Sequence, residues 1–462
     1  MMLSRRNLLA GLAALPLAPG AGWGQGPDRR PPARPALSAG RIVASAGLPG
    51  TVAFALLDDP TRPLADAAQV AAPMMPASTL KAVTALYALS RLGPAHRFTT
   101  RIIRAGDMLV LAGGGDPVLS TDDLATLAGE LVATGQPAPA RFAVWGGALP
   151  QLEEIAPGQA DHLAYNPALS GIILNFNRVH LGWRQGGAQM SIEARGSAHS
   201  PRAYTITAAP GDQSDLFTYR EGEDRETWTV SRSAMSRPGS RWLPVRKPEL
   251  YAGDVFQTLC RAKGLVLPAP EVIGTLPQGQ IVASHSSPPL DRILRDMLYF
   301  STNLTAEVVG LHASGARDPA ASAQGMRAWL VAQGQGLDFT LADHSGLSPA
   351  SQVTAQGMAR LLAGPGLAAG LPALLKADPL DDDLGQGATA AGSVRAKTGT
   401  LNFVSNLAGY VMGPGGQPRA FAILCADAVR QAATSGQELP SGVLSWTRDA
   451  KRLQRDILNG WG

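Results

Sequence analysis

The chain has 462 residues, 45% of them apolar and 16% charged, which is enough for two or three domains with sizeable cores and excludes a disordered protein. Its 40 basic and 36 acidic residues leave a net charge of +4 with no long run of either sign, which excludes the basic stripe of a dedicated nucleic-acid binder. Two cysteines, Cys260 and Cys425, exclude a disulfide scaffold and any Cys-rich metal site, and are expected to be buried free thiols.

In chain order, residues 1–24 read as an export signal. Arg5 and Arg6 precede an apolar stretch over 8–17 that is too short to span a bilayer, and Ser4-Arg5-Arg6-Asn7-Leu8-Leu9 is twin-arginine-like. No later run of about 18 apolar residues follows, so the expectation is a periplasmic protein with no transmembrane anchor once the signal is removed. Residues 25–40, rich in Pro, Arg and Gly, read as a flexible lead-in. The β-branched, apolar run over 50–57 predicts a strand, and the apolar spacing over 81–92 predicts a helix stopped by Gly93-Pro94. From about 97 to 246 short apolar runs alternate with turn clusters, which predicts mostly β structure with one helix near 122–134. Helices are predicted over 251–263, 290–300, 305–313, 320–333 and 444–458. A hairpin is predicted from strands over 404–412 and 419–426.

Three short motifs carry chemistry. Ser78-Thr79-Leu80-Lys81 opens the first long helix, where residues three apart share a face, so the Ser78 hydroxyl and the Lys81 amine can meet. A serine needs a neighbouring base to become a nucleophile, and a lysine becomes that base when burial or a nearby cation lowers its pKa. Ser301-Thr302-Asn303 falls at a break between two predicted helices; its hydroxyl can relay a proton and its amide can hold a carbonyl. Lys397-Thr398-Gly399-Thr400 lies in a β-like run, where a cation, two hydroxyls and a missing side chain suit a carboxylate beside an extended peptide. Each motif alone is weak. Their order, S-x-x-K then S-x-N then K-T-G behind an export signal, is that of serine enzymes acylated by β-lactams.

With these residues in view the chain resembles the D-alanyl-D-alanine carboxypeptidase/endopeptidase family of low-molecular-mass penicillin-binding proteins, the class C group or peptidase family S13. The resemblance rests on Met75-Pro76-Ala77-Ser78 with Lys81, on Ser301-x-Asn303 with Ala306-Glu307, and on 394–401 followed by Leu407-Ala408-Gly409-Tyr410. Gly114-Gly115-Asp116-Pro117 and Asp343-x-Ser345-Gly346-Leu347-Ser348 also match. The long gap between Ser78 and Ser301 matches the family's inserted domains. The resemblance implies an α/β (α+β) β-lactamase/transpeptidase-like domain that is discontinuous, over 41–98 and 246–462, with one or two β-rich domains inserted over 99–245. It further implies that Ser78 is acylated, Lys81 is the base, and Ser301 passes a proton to the leaving amine. Asn303 would bind the substrate amide, and Lys397 with Thr398 the terminal carboxylate. Gly399 would allow the close approach, and the N–H groups of Ser78 and Thr400 would form the oxyanion hole. The implied partners are peptidoglycan stem peptides, with β-lactams as covalent inhibitors. No metal or other cofactor is expected, because the seven histidines show no paired spacing.

The chain departs from the family pattern at several places, and the segment 377–383 before the third motif lacks the family's Gly-Thr-containing stretch. Thr302 stands where Asp is usual, His344 stands where Gly is usual, and Pro349 stands where a basic residue is common. Asp381, Asp382 and Asp383 read as a solvated loop, and His96, His162 and His344 as loop residues. Asn175-Phe176-Asn177 reads as a structural turn. Two other functions stay open: a serine β-lactamase, disfavoured because Glu307 is the only glutamate between Ser301 and Lys397, and a catalytically silent peptidoglycan-binding protein.

Overall fold

The computed structural model describes residues 38–462 apart from 188, 391 and 414. The expected export signal and most of the expected lead-in lie outside the described residues. The end of that lead-in is structured instead: Ala39 and Gly40 belong to the helix Ala39–Ala46, and Ala39 is buried in a core with the C-terminal helix.

The site is built on a six-stranded antiparallel sheet. Its order is Lys376–Ala377, Val394–Leu401, Val404–Met412, Pro418–Ala426, Thr51–Leu57 and Asp66–Ala68. An early strand therefore pairs with a late one, Thr51 opposite Ala426. The uninterrupted apolar runs follow from burial on both faces. Along Thr51–Leu57, Ala53, Ala55 and Leu57 face one core, while Val52, Phe54 and Leu56 face another. Along Pro418–Ala426 the same alternation sets Ala420, Ala422 and Leu424 against Phe421 and Ile423. The small residues face the side that carries the helices Leu80–Leu92 and Asn303–Ser314, so that layer can approach the sheet closely. The large ones face the C-terminal helix Val443–Trp461, whose Trp446, Ala450, Leu453, Ile457 and Trp461 form one stripe. The predicted hairpin over 404–426 is present, and Cys260 and Cys425 are both buried and unpaired. No helix among the described residues is long and apolar enough to cross a membrane.

A second body of structure is β-rich. A five-stranded sheet runs Pro270–Val272, Arg141–Trp145, Met108–Ala112, Thr99–Ala105, Gln280–Ser286, and two three-stranded sheets cover residues between 178 and 244. The stretch that follows the expected boundary at 245/246 packs with the β-rich part. The helix Pro248–Ala262 buries Tyr251, Val255, Phe256 and Leu259 against Phe142, Leu127 and Leu131, and Gln280–Ser286 pairs with Thr99–Ala105. By core and by sheet, residues up to about 286 belong with the β-rich part. Helical periodicity does not say which core a helix faces, so sequence alone could not place this helix.

One smaller expectation changes and another holds. Asp381, Asp382 and Asp383 begin a short helix, Asp381–Leu384, and two of them are paired, Asp382 with Lys376 and Asp383 with Lys451 at 2.5 Å. Asn175, Phe176 and Asn177 form the expected turn, all with positive φ; Asn175 bonds Thr121, and Asn177 bonds the Ala168 carbonyl.

If Phe256 is a keystone of the β-rich core, Phe256→Ala leaves a cavity that only partly closes. The expected loss is about 3–5 kcal/mol of stability, read by chemical denaturation.

Candidate active site

Ser78 sits in a single tight turn, Ala77–Thr79, that runs directly into the helix Leu80–Leu92. Ala77 is fully buried with φ 46°, a left-handed conformation that costs an ordinary residue roughly 1–2 kcal/mol. Neighbouring strands and loops hold the turn there. Asn406, in the middle of the buried strand Val404–Met412, donates to the carbonyls of Met75 at 2.8 Å and Pro76 at 3.0 Å, and accepts from the Cys425 N–H. Two glycines let other segments close on the turn. A Cβ on Gly399 would lie 2.8 Å from the Pro76 carbonyl oxygen and 3.1 Å from the Ser78 nitrogen, and one on Gly346 would fall 1.9 Å from the Ala77 carbonyl oxygen.

Lys81, one turn further on, is completely buried. Its Nζ lies 2.9 Å from Ser78 Oγ, 2.8 Å from Asn303 Oδ1 and 2.8 Å from the Ser345 carbonyl oxygen. Burial pushes its pKa down to about 8, against the opposing pull of Asp343 and Glu307. The second acceptor comes from Ser301-Thr302-Asn303. Ser301 ends the helix Leu290–Phe300 in a left-handed conformation and Asn303 begins the next helix, Asn303–Ser314. The third comes from the loop 343–348. Glu307, one turn along the Asn303 helix, accepts from the N–H groups of His344 (3.2 Å) and Ser345 (2.9 Å), which aims the Ser345 carbonyl at Lys81. Burial and the nearby Asp343 push the Glu307 carboxyl up. Asp343 in turn accepts from Ser348 N–H and from the hydroxyls of Ser345 and Ser351.

His344 lies in a loop, as expected, and is buried there. Its ring lies over Gly310, where a Cβ would come within 2.2 Å, and its Nε2 is 2.7 Å from Ser322 Oγ. A glycine on the facing helix therefore makes the room for the imidazole. Burial pushes its pKa down to about 3, so the ring is neutral and structural.

Lys397 is also buried, and its Nζ donates to the Thr398 carbonyl at 2.8 Å. Burial first, and then the positive charges of Lys81 and Lys376, hold its pKa well below the usual lysine value. The neighbouring edge strand covers only part of this one: Lys376 and Ala377 pair with Ala396 and Arg395, which leaves the edge from Lys397 onward unpaired among the described residues. An unpaired strand edge can accept an extended peptide by backbone pairing.

A cavity of about 560 Å³ brings Ser78, Ser301, Asn303 and Thr400 to one surface. Of the other expected residues, Lys81 reaches it through Ser78 and Asn303, Gly399 backs the serine turn, and Lys397 with Thr398 continues along the same strand. Ser301 lines the cavity without a side-chain hydrogen bond to Ser78, Lys81 or Lys397. The sequence reading missed two contributors. Asn406 could have been found as a polar amide inside a buried apolar strand, which must have partners. Tyr165, from the β-rich part, lines the cavity and its backbone carbonyl accepts from Asn303 Nδ2 at 3.1 Å; nothing in its local sequence signals this.

Comparison with known proteins gives a consistent result. The model of the D-Ala-D-Ala carboxypeptidase 3 (S13) family matches residues 58–443. A D-alanyl-D-alanine carboxypeptidase of Actinomadura sp. (strain R39) is 28% identical, covering 84% of this chain and 81% of its own. Carboxypeptidase DacB of Mycolicibacterium smegmatis is 28% identical over 76% of this chain and 71% of its own. The crystal structure of penicillin binding protein 4 (dacB) from Haemophilus influenzae superposes with a TM-score of 0.74 at 19% identity, covering 92% of this chain and 99% of that one. The fold is thus the transpeptidase-like α/β arrangement with β-rich insertions.

Asn406→Ala would strip the Met75 and Pro76 carbonyls and the Cys425 N–H of a buried partner. It is expected to cost about 2–4 kcal/mol in urea denaturation and to slow reaction at Ser78, because the turn loses its anchor.

Proposed function

The chain belongs to the D-Ala-D-Ala carboxypeptidase 3 (S13) family, and from that premise we propose that it is a serine DD-peptidase working through an acyl-enzyme on Ser78. The observation that carries this reading is the placement of Lys81. As an ammonium it has three N–H donors for three acceptors. As a neutral amine it keeps two donors for Asn303 Oδ1 and the Ser345 carbonyl, both of which only accept there, so the lone pair is left facing Ser78 Oγ–H. A pKa near 8 makes that neutral form accessible close to neutral pH.

In the proposed reaction the substrate is a peptidoglycan stem peptide ending in D-Ala-D-Ala, laid along the open edge at Lys397. Lys397 and Thr398 hold its terminal carboxylate, and Asn303 holds the amide on the acyl side. Ser78 Oγ attacks the penultimate carbonyl carbon while its proton passes to Lys81. The N–H groups of Ser78 and Thr400 hold the oxyanion, at the start of the helix Leu80–Leu92, where unpaired N–H groups favour negative charge. Collapse breaks the C–N bond; the leaving amine takes the proton that Lys81 received from Ser78, relayed through Ser301, so Lys81 is neutral again and terminal D-Ala departs. Water, deprotonated by Lys81, then hydrolyses the ester and restores Ser78. Cross-links through D-Ala offer the same bond. β-Lactams, whose ring carbonyl stands in for the peptide carbonyl, are expected to acylate Ser78.

The proposed domain division places residues 41–98 and about 287–462 in the peptidase domain, with the β-rich part between them. The proposed setting is the periplasm, reached through the twin-arginine-like signal. Against the β-lactamase reading stands Glu307: it is buried and spent on the N–H groups of His344 and Ser345, so it is not free to activate a deacylating water.

The deciding experiment is intact mass after incubation with benzylpenicillin. One long-lived, drug-sized adduct is expected on the wild type and none on Ser78→Ala. An unmodified wild type would instead support a silent binding protein, and rapid loss of the adduct would support a β-lactamase.

The acylation rate has an expected pH profile. It should rise with pH and level off above an apparent pKa of about 8, because Lys81 must lose its proton to act as base. The same shift bears on stability. Between about pH 8 and the ordinary lysine value near 10.4 the unfolded chain holds a proton that the folded chain has lost, so this group's contribution to stability rises with pH across that window.

A further inference from the structure

We propose that Glu438 latches a strap over the acyl side of the cleft and thereby sets the preference for long stem peptides over short D-Ala-D-Ala substrates, an inference that rests on the reading of Ser78 as nucleophile. The strap connects the helices Ala428–Ala433 and Val443–Trp461, and with Ser78 and Thr400 it lines the same cavity.

Its base is tied to the substrate strand: Asn402, just past the end of Val394–Leu401, donates to the Gln437 carbonyl at 2.7 Å. Its tip is tied to the β-rich part. The two Glu438 carboxylate oxygens are engaged separately, one by His162 Nε2 at 3.0 Å and the other by Arg241 at 2.9 Å. Both partners are held in advance on one ring, since Phe217 packs against the His162 imidazole at 5.2 Å and lies under the Arg241 guanidinium at 4.9 Å. A latch that joins segments nearly 200 and 276 residues apart across a cavity mouth is more than a local surface pair.

The strand gives the direction. The terminal carboxylate sits at Lys397 and Thr398 and the oxyanion at Thr400, so the chain preceding the scissile bond runs on past Leu401 and Asn402, beneath the strap. A blocked D-Ala-D-Ala dipeptide stops short of it. A pentapeptide extends three residues further, roughly 10 Å when extended, and must lie under it.

The test compares wild type, Glu438→Gln, which keeps the shape and removes the charge, and Arg241→Gln. Three quantities are measured: acylation by benzylpenicillin, hydrolysis of a blocked D-Ala-D-Ala dipeptide, and hydrolysis of a stem pentapeptide. The ratio of kcat/KM for pentapeptide to that for dipeptide is expected to fall about fivefold in both variants, through a higher KM for the pentapeptide. A ratio within twofold of wild type overturns the latch. So does an equal loss on all three substrates, which would mean general damage to the site. A wild type that is neither acylated nor active on either peptide would instead overturn the functional reading itself.

Discussion

The buried amine of Lys81 is the constraint around which the site is arranged. An unpaired lysine in a protein interior is so costly that it gives up its proton or forces the surroundings to supply partners. Here the pKa falls to about 8 and three acceptors lie within 2.9 Å. Those acceptors come from three separate stretches of chain: the turn before the helix, the start of a second helix, and a loop. Each must therefore be held by something else. Asn406 holds the turn, the helix break at Ser301 places Asn303, and Glu307 holds the loop that presents the Ser345 carbonyl. Asn406 and Glu307 are themselves buried and polar, so each requires its own complete set of hydrogen bonds.

The sheet explains why such a polar assembly is tolerated. Its central strands are apolar on both faces, with small residues toward the helical layer and large ones toward the C-terminal helix, so the serine turn rests on a close-packed base. At the edge beside the serine turn the covering strand is short. The partner strand ends after pairing with Ala396, and Lys397 to Leu401 keep a free edge beside Ser78. In the proposed reaction this open stretch is where an extended substrate adds itself by backbone pairing.

Much of this was legible in the sequence, for physical reasons that differ by element. The central strands announced themselves because burial on two faces requires uninterrupted apolar runs. The helices Leu290–Phe300 and Val443–Trp461 were readable because each buries a single stripe. The S-x-x-K, S-x-N and K-T-G motifs were readable because their chemistry restricts residue type. The packing partner of the helix Pro248–Ala262 was not readable, since an apolar stripe is the same whichever core receives it. Tyr165 escaped because it contributes a backbone carbonyl, which every residue has. The burial of His344 was not readable, because it depends on Gly310, a residue more than thirty positions away that acts by lacking a side chain. Glu438 gave no signal because its partners lie in a different part of the chain.

The two buried lysines together bear on selectivity. Lys81 makes the charged form of Lys397 less favourable, and Lys376 adds to the effect. A neutral ligand would leave that repulsion in place. A ligand carboxylate at Lys397 would relieve it, favour the charged form there, and do so in a low-dielectric site where one charge weighs more than in water. In the proposed reaction the anion is the free terminus of D-Ala-D-Ala, and most β-lactams carry an equivalent acid. A peptide whose terminus is blocked as an amide or ester would forgo this term, even though its scissile bond is the same. Discrimination for a chain end can then arise from the charge balance among these lysines, with the strap acting separately on what precedes the bond.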